Sequence, residues 1–221
     1  MNNATSAARA NILQRLRKET PPQPSPYQGR EQEAEHVGWD KAERVRRFVE
    51  RMEAVRAEIY HANHDSWLET LVEICQAKGL NNLLMSTNTV WGQAIVAQAE
   101  RFPALRHYDQ PIEGWKQDMF YGIDAAFTST RGGIAETGTL ILWPDAEEPR
   151  QMSLVPPIHI AVLDTAQLYT TFAAAVHEQG WVETGMPTNA LLVSGPSKSA
   201  DIEQTLAYGV HGPKELIVIL V

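Results

Sequence analysis

Cysteine is almost missing from this chain: Cys75 stands alone among 221 residues. One thiol makes no internal disulfide, no four-thiolate zinc site and no iron–sulfur cluster held by this chain alone. The composition therefore suits a reducing compartment, and any such redox centre would belong to a partner. Long apolar runs are missing too. The longest, residues 216–221, is six residues, far short of the roughly 20 a membrane helix needs, so a soluble protein without a membrane span is expected. Positive charge is scarce: 19 Lys and Arg face 27 Asp and Glu, a net charge of −8. A surface of that sign repels phosphate backbones, which argues against nucleic acid as a partner. There is no GxGxxG, P-loop or HExxH spacing, so dinucleotide, Walker-type nucleotide and zincin chemistry have no motif behind them.

What is present is globular. Hydrophobic residues make up 43% and charged residues 21%, close to the average for folded domains and enough for one α/β domain at this length. The first 38 residues differ from the rest. An Arg-rich, helix-like stretch runs into Thr20-Pro21-Pro22-Gln23-Pro24-Ser25-Pro26, and proline at that density stops a helix and leaves an extended linker. The arm, residues 1–38, reads as a segment resembling a transit peptide or as a docking helix for the same or another subunit. The body, residues 39–221, carries the acidity. Asp40 followed by Glu43 begins a helix with Ala42, Val45, Phe48, Val49, Met52 and Val55 at helical spacing. A second helix starts near Asp65 or Ser66, turns Leu68, Leu71, Val72 and Cys75 inward and ends at Gly79.

Beyond Gly79, short apolar runs alternate with helix-like stretches: 83–85, a helix over 90–99, then 125–127, 139–143, 158–163, a helix over 165–178, then 190–193 and the terminal run. Continuously apolar strands are those buried on both faces of a mostly parallel sheet, so the expected fold is α/β, Rossmann-like and three-layered, with helices flanking the sheet.

Ligands in such sheets bind beyond the carboxyl ends of the strands, which directs attention to the loops. Residues 128–139 offer hydroxyls including Thr137, the guanidinium of Arg131 and the Gly132-Gly133 pair, a nest for a carboxylate or phosphate. Glu136 reads as a base, a nucleophile or a ligand, or as a carboxylate that only ties down its turn. Residues 194–203 read as a strand-to-helix link whose exposed amides, with Ser194 and Ser197, can hold an anion, in which Ser197 or Ser199 can cap the helix, and Asp201 faces a hydroxyl or a cation. His211, between turn glycines, is positioned by backbone and is the better functional candidate, whereas His159 in an apolar strand reads as a hydrogen-bonded core imidazole. A metal held by Glu136, His159, Asp201 and His211 ranks low for want of ligand spacing. Residues 144–157 read as a structureless cover with Arg150 placed to clamp a carboxylate.

Four segments together carry a resemblance: Gly133-Ile134-Ala135-Glu136-Thr137-Gly138-Thr139, Ser153-Leu154-Val155-Pro156-Pro157-Ile158-His159, Ser194-Gly195-Pro196-Ser197 with Ala200-Asp201-Ile202-Glu203, and Gly209-Val210-His211-Gly212-Pro213. In order and spacing they resemble the lactate-utilization protein C family, the LUD-domain proteins. The resemblance implies a bacterial cytoplasmic protein with a fold similar to the NagB/RpiA/CoA-transferase group. It implies a role in oxidising L-lactate to pyruvate beside iron–sulfur oxidoreductase subunits that hold the clusters, with no cofactor assigned to this chain and an oligomer possible. Two roles stay open: a subunit that binds a small carboxylate or an anionic carrier, and an independent enzyme resembling acyl or CoA transferases, or a cyclo-ligase, that uses Glu136. Either way, Glu136, Arg131, Ser194, Ser197, Asp201 and His211 are expected to converge on one crevice at the carboxyl ends of the central strands.

Overall fold

A computed structural model describes residues 9, 11, 13–15, 38–108, 112–200, 206–209 and 211–221. The chain divides into two units, Met1–Val37 and Gly38–Val221. The described residues of the first are helical; the second is the body and carries every strand found among the described residues.

The body begins with the Lys41–Ala54 helix. Asp40 caps it by accepting the Glu43 amide at 2.8 Å, and Phe48 and Met52 form its fully buried face. Strands are numbered in chain order. Six of them, β1 (Glu58–His61), β2 (Asn82–Met85), β3 (Ala104–His107), β4 (Ala125–Ser129), β7 (Ile158–Leu163) and β12 (Glu215–Leu220), form one parallel sheet in the order β1-β12-β7-β4-β2-β3. Alternate residues of each strand face opposite ways. Ile160, Val162, Ile217, Ile219, Phe127, Leu83 and Met85 pack under the Trp67–Ala77 and Val90–Val96 helices. Ala161, Leu163, Leu216, Val218 and Leu220 face the Lys41–Ala54 helix and a second sheet, while Leu84 and Ala126 meet Trp115, Met119 and Met152 from the Ile112–Tyr121 and Arg150–Leu154 helices. The Rossmann-like layering expected from the apolar runs is what the chain adopts.

Four expectations are corrected. Residues 139–143 and 190–193 do not join the parallel sheet: β6 (Thr139–Leu142) and β9 (Leu191–Val193) belong to a four-stranded mixed sheet with β5 (Gly132–Ile134) and β8 (Leu168–Tyr169), in the order β8-β5-β6-β9. This sheet is itself sandwiched. Leu140 and Leu142 point to the central sheet, and Ile141 points to Trp181 and Ala175 of the outer helices, so its strands are as apolar as parallel ones. Second, the helix over 165–178 breaks into a 3-10 turn, β8 and a helix at Phe172–Glu178, where Thr171 caps the Ala174 amide at 3.1 Å; Leu168 and Tyr169 are drawn out to pair with β5. Third, residues 198–200 open no helix but form β10 (Lys198–Ala200), paired antiparallel with β11 (Leu206–Tyr208). Fourth, the segment 144–157 contains the Arg150–Leu154 helix, which buries Met152 and Ser153.

The Gly132-Gly133 pair is strand rather than anion nest. A Cβ on Gly133 would stand 2.9 Å from Leu168 Cδ1 and 3.0 Å from Leu163 Cδ2, so glycine is there to let the two sheets approach. Gly138, in the β5–β6 turn, has φ +61° and leaves only 2.3 Å between an added Cβ and Arg51 Cβ. Gly138→Ala is therefore expected to destabilise the body by more than about 1 kcal/mol, from strained backbone and overpacking together, read from the urea midpoint. Cys75 is 3% exposed, and burial pushes its thiol up to about 12. Ellman's reagent should leave the native thiol unreacted over the time in which it titrates the denatured chain, because both access and thiolate are denied.

Candidate functional site

The connection leaving β2 runs through the Val90–Val96 helix on one face of the central sheet, whereas the connection leaving β4 runs through the second sheet on the other. β2 and β4 are neighbours. Their carboxyl ends are thus a topological switch point, where adjacent loops part and leave a crevice. A crevice of about 480 Å³ opens there, lined among others by Thr89, Ser129, Arg131, Trp143, Asp145 and Glu148.

Its walls are fixed by hydrogen bonds. The Ser129 amide donates to both oxygens of Glu148 at 3.0 and 3.1 Å, and Ser129 Oγ donates to Oε2 at 2.5 Å. Asp145 Oδ1 accepts the amides of Glu147 and Glu148, both at 2.8 Å, which turns the loop back on itself. The Asn88 amide holds the Glu147 carboxylate and so ties this loop to the end of β2. Burial pushes the Glu148 carboxyl above the usual range; the Ser129 hydrogen bonds hold back part of that rise, and Asp145 adds to it by like charge. On the opposite wall the Arg131 guanidinium lies over the Trp143 ring, 5.0 Å from its centroid, and Nε donates to Gln179 Oε1 at 3.2 Å. Trp143 in turn meets Trp181 edge-on at 4.8 Å, and Trp181 Nε1 donates to the same Gln179 oxygen at 2.7 Å. A cation held on an aromatic face and a carboxyl whose neutral form burial favours line one cavity. That combination can orient a small carboxylate and exchange a proton with it.

Among the described residues, the others singled out from the sequence do not line this crevice, so the expected convergence is not seen there. Thr137 Oγ1, Thr139 Oγ1 and Ser194 Oγ form a chain of hydroxyls spaced 2.7 Å apart. Next to it, Gly138 lies against Arg51 and Gly195 against Val55, at the end of the helix that leads into β1. Glu136 is exposed on the same turn and its amide donates to Thr170 O at 3.1 Å. The Ser197 amide donates to Pro213 O at 2.8 Å, the Gly209 amide donates to Ser197 O at 2.9 Å, and Lys214 N donates to Pro157 O at 2.7 Å. Pro157 precedes β7 and Lys214 precedes β12, so Ser197 and the exposed His211 stand at the amino ends of these strands, across the sheet from Arg131. The physical reason is that β5 leaves β4 at the carboxyl edge and runs back over the sheet before Glu136 is reached. Arg150 is exposed at the start of its short helix and lines no part of the crevice. Asp201 lies outside the described residues.

Sequence reasoning reached Arg131 and the loops holding Ser129, Asp145 and Glu148, but did not single out those three residues or Trp143. The available signal was the acidic run Asp145-Ala146-Glu147-Glu148 directly after a buried strand. His159 is a core imidazole as expected: it is 1% exposed, with Nε2 2.8 Å from Thr128 Oγ1, and Nδ1 has no hydrogen-bond partner among the described residues. Among the described residues no three His, Cys, Asp or Glu side chains are grouped to hold a metal ion, and no helix is long and apolar enough to cross a membrane.

The family model of the LUD domain matches residues 45–221. The chain belongs to the LUD domain family. An uncharacterized protein of Neisseria meningitidis serogroup B is 40% identical over 220 residues, 97% of this chain and 94% of that protein. Lactate utilization protein C 1 of Bacillus mycoides is 26% identical over 83% of this chain and 81% of its own length, and lactate utilization protein C of an Exiguobacterium is 28% identical over 100% and 99%. A crystal structure of a DUF162 family protein from Deinococcus radiodurans superposes with a TM-score of 0.62 at 23% identity, over 83% of this chain and 99% of that one, a likeness of fold.

Burial gives this LUD domain a pH signature. It lowers the His159 pKa from 6.5 to about 4 in the folded state. Between those values the unfolded chain binds more protons, so the stability that neutral His159 permits is complete above about pH 6.5 and drains away as the pH falls toward about 4. The slope is at most about 1.4 kcal/mol per pH unit. Urea midpoints across that window should fall with pH in the wild type and change less in His159→Gln.

Proposed function

We propose that this LUD domain serves lactate utilization by binding a small carboxylate, lactate or pyruvate, in the crevice between the ends of β2 and β4, in the cytoplasm and beside iron–sulfur partner proteins. The observation that carries the reading is the pairing of Arg131, seated on Trp143, with the half-buried carboxyl of Glu148 in one cavity. Arg131 takes the ligand carboxylate, since a guanidinium offers two parallel donors to two oxygens. Ser129 and Glu148 face the oxygen on the adjacent carbon, the atom at which lactate and pyruvate differ. The names of relatives aligned over 83% and 100% of this chain support the lactate connection. The division of labour with partners is supported by chemistry: the one cysteine is 3% exposed in an apolar cluster, so an iron–sulfur acceptor for the electrons of lactate oxidation would have to be held by another chain.

The test is direct binding. Calorimetric titration of the full chain with L-lactate and pyruvate should show saturable binding, and Arg131→Ala should weaken it at least about tenfold, or roughly 1.4 kcal/mol. Arg150→Ala, outside the crevice, should leave it within about twofold. Equal loss in both variants, or none in either, would put the carboxylate elsewhere.

A further inference from the structure

The crevice has an unfavourable charge count for an anion site. Among the described residues that line it, Arg131 is the only cation, and Asp145 and Glu148 are both carboxylic acids. Glu147 stands beside them, held by Asn88 from the β2 side. On β4 and just beyond it the neighbours Ser129 and Thr130 carry no charge, as with Thr89 before the Val90–Val96 helix and with Thr184 and Gly185 on the covering side. With both lining acids ionised the wall is net negative before any ligand arrives. With one protonated it is neutral.

The two acids are not equivalent. Asp145 is exposed, and its Oδ1 accepts two backbone amides. Glu148 is half-buried, has Asp145 as a like charge nearby, and takes its hydrogen bonds from Ser129. A carboxylate arriving on Arg131 adds a second like charge to Glu148 and displaces water from around it. Both changes favour the neutral carboxyl. Once protonated, Glu148 keeps one oxygen to accept the Ser129 amide and gains an O–H to donate to the ligand, a role the carboxylate lacks.

On the reading that this crevice is the carboxylate site, we infer that it takes a monoanionic 2-hydroxy or 2-oxo carboxylate together with one proton, which Glu148 holds while the ligand is bound. Binding is then a linked uptake of anion and proton, neutral overall. A ligand with a second negative group, such as a dicarboxylate or a phosphate, brings a charge that meets Asp145 with no second cation among the lining residues to receive it. The site excludes it by repulsion as much as it selects the monoanion by contact.

The experiment is isothermal titration of the full chain with L-lactate and pyruvate at pH 7 and pH 8, in buffers of different ionisation enthalpy, so that the proton count is read from the buffer dependence of the heat. The expected result is proton uptake approaching one per ligand and an affinity that falls by up to about tenfold across that pH unit. Glu148→Gln should bind with neither the uptake nor the pH dependence, while Asp145→Asn keeps both. Malonate and inorganic phosphate should bind at least about tenfold more weakly than pyruvate. Wild-type binding without proton exchange overturns the inference and leaves the carboxylate site standing. Uptake that survives in Glu148→Gln and vanishes in Asp145→Asn overturns the assignment to Glu148. No binding of either monocarboxylate overturns both the inference and the site on which it rests. The wild-type proton count decides the matter by itself should a variant fail to fold.

Discussion

Everything in the body is arranged around the pairing of β7 with β12, six residue pairs in unbroken parallel register inside the sheet. Both strands are buried on both faces, and parallel strands that lose all solvent must find apolar cover on each side. One side is met by two helices carrying Trp67, Leu71, Ile74 and Ile95. The other is too broad for the helices left over, and the second sheet closes it with Leu140 and Leu142. Part of that cover comes from the chain between β4 and β7, where β5 and β6 double back across the sheet before the chain returns to it; β8 and β9 add the rest of the second sheet.

The crevice follows from the same constraint. A chain that leaves β4 on the face opposite to the one used after β2 cannot close the gap between the two strand ends, and the return of β6 to the carboxyl edge delivers Trp143, Asp145 and Glu148 to it. Glu148 then does for the Ser129 amide at the end of β4 what a further ladder partner would have done. A buried carboxyl is costly unless hydrogen bonded, and an unpaired strand-end amide is costly too. Each meets the need of the other, leaving Arg131 and the pocket-facing side of Glu148 for a ligand.

Much of this fold was legible from apolar spacing. The capped helix at Asp40, the strands at 125–127 and 158–163 and the terminal strand all declare themselves through residues whose neighbours along the chain already decide the outcome. The second sheet did not, because an apolar run reports burial on both faces and says nothing of which sheet supplies it. The break at Thr170-Thr171 was hidden for a related reason: residues 168–169 look helical in isolation and become strand only because β5 offers them a partner. Arg131 was found because it follows a strand directly. Glu148 was not, since its significance depends on a loop folding 19 residues back to Ser129, and an acidic run reads as solvated surface until that return is known.

The distribution of glycine and proline explains why motif density and the crevice part company. The segments that carry the family resemblance hold Gly138, Gly195, Gly209 and Gly212, where a side chain would strike Arg51, Val55, Lys214 or Ser197. They also hold the prolines at 157 and 213 whose carbonyls receive Lys214 and Ser197 amides. These are points at which one backbone crosses another at close range, and they knit the amino edge of the sheet into a single piece. A motif rich in such residues records the geometry of crossings, which few residue types satisfy. The carboxyl-edge crevice is built mostly from side chains, with Gly185 the one lining residue at positive φ among those described, and its residues leave a weaker mark on the sequence. The close crossings at the amino edge and the side-chain-lined crevice at the carboxyl edge are complementary: with the amino ends locked by backbone, the loops beyond the carboxyl ends are left to be shaped by their side chains.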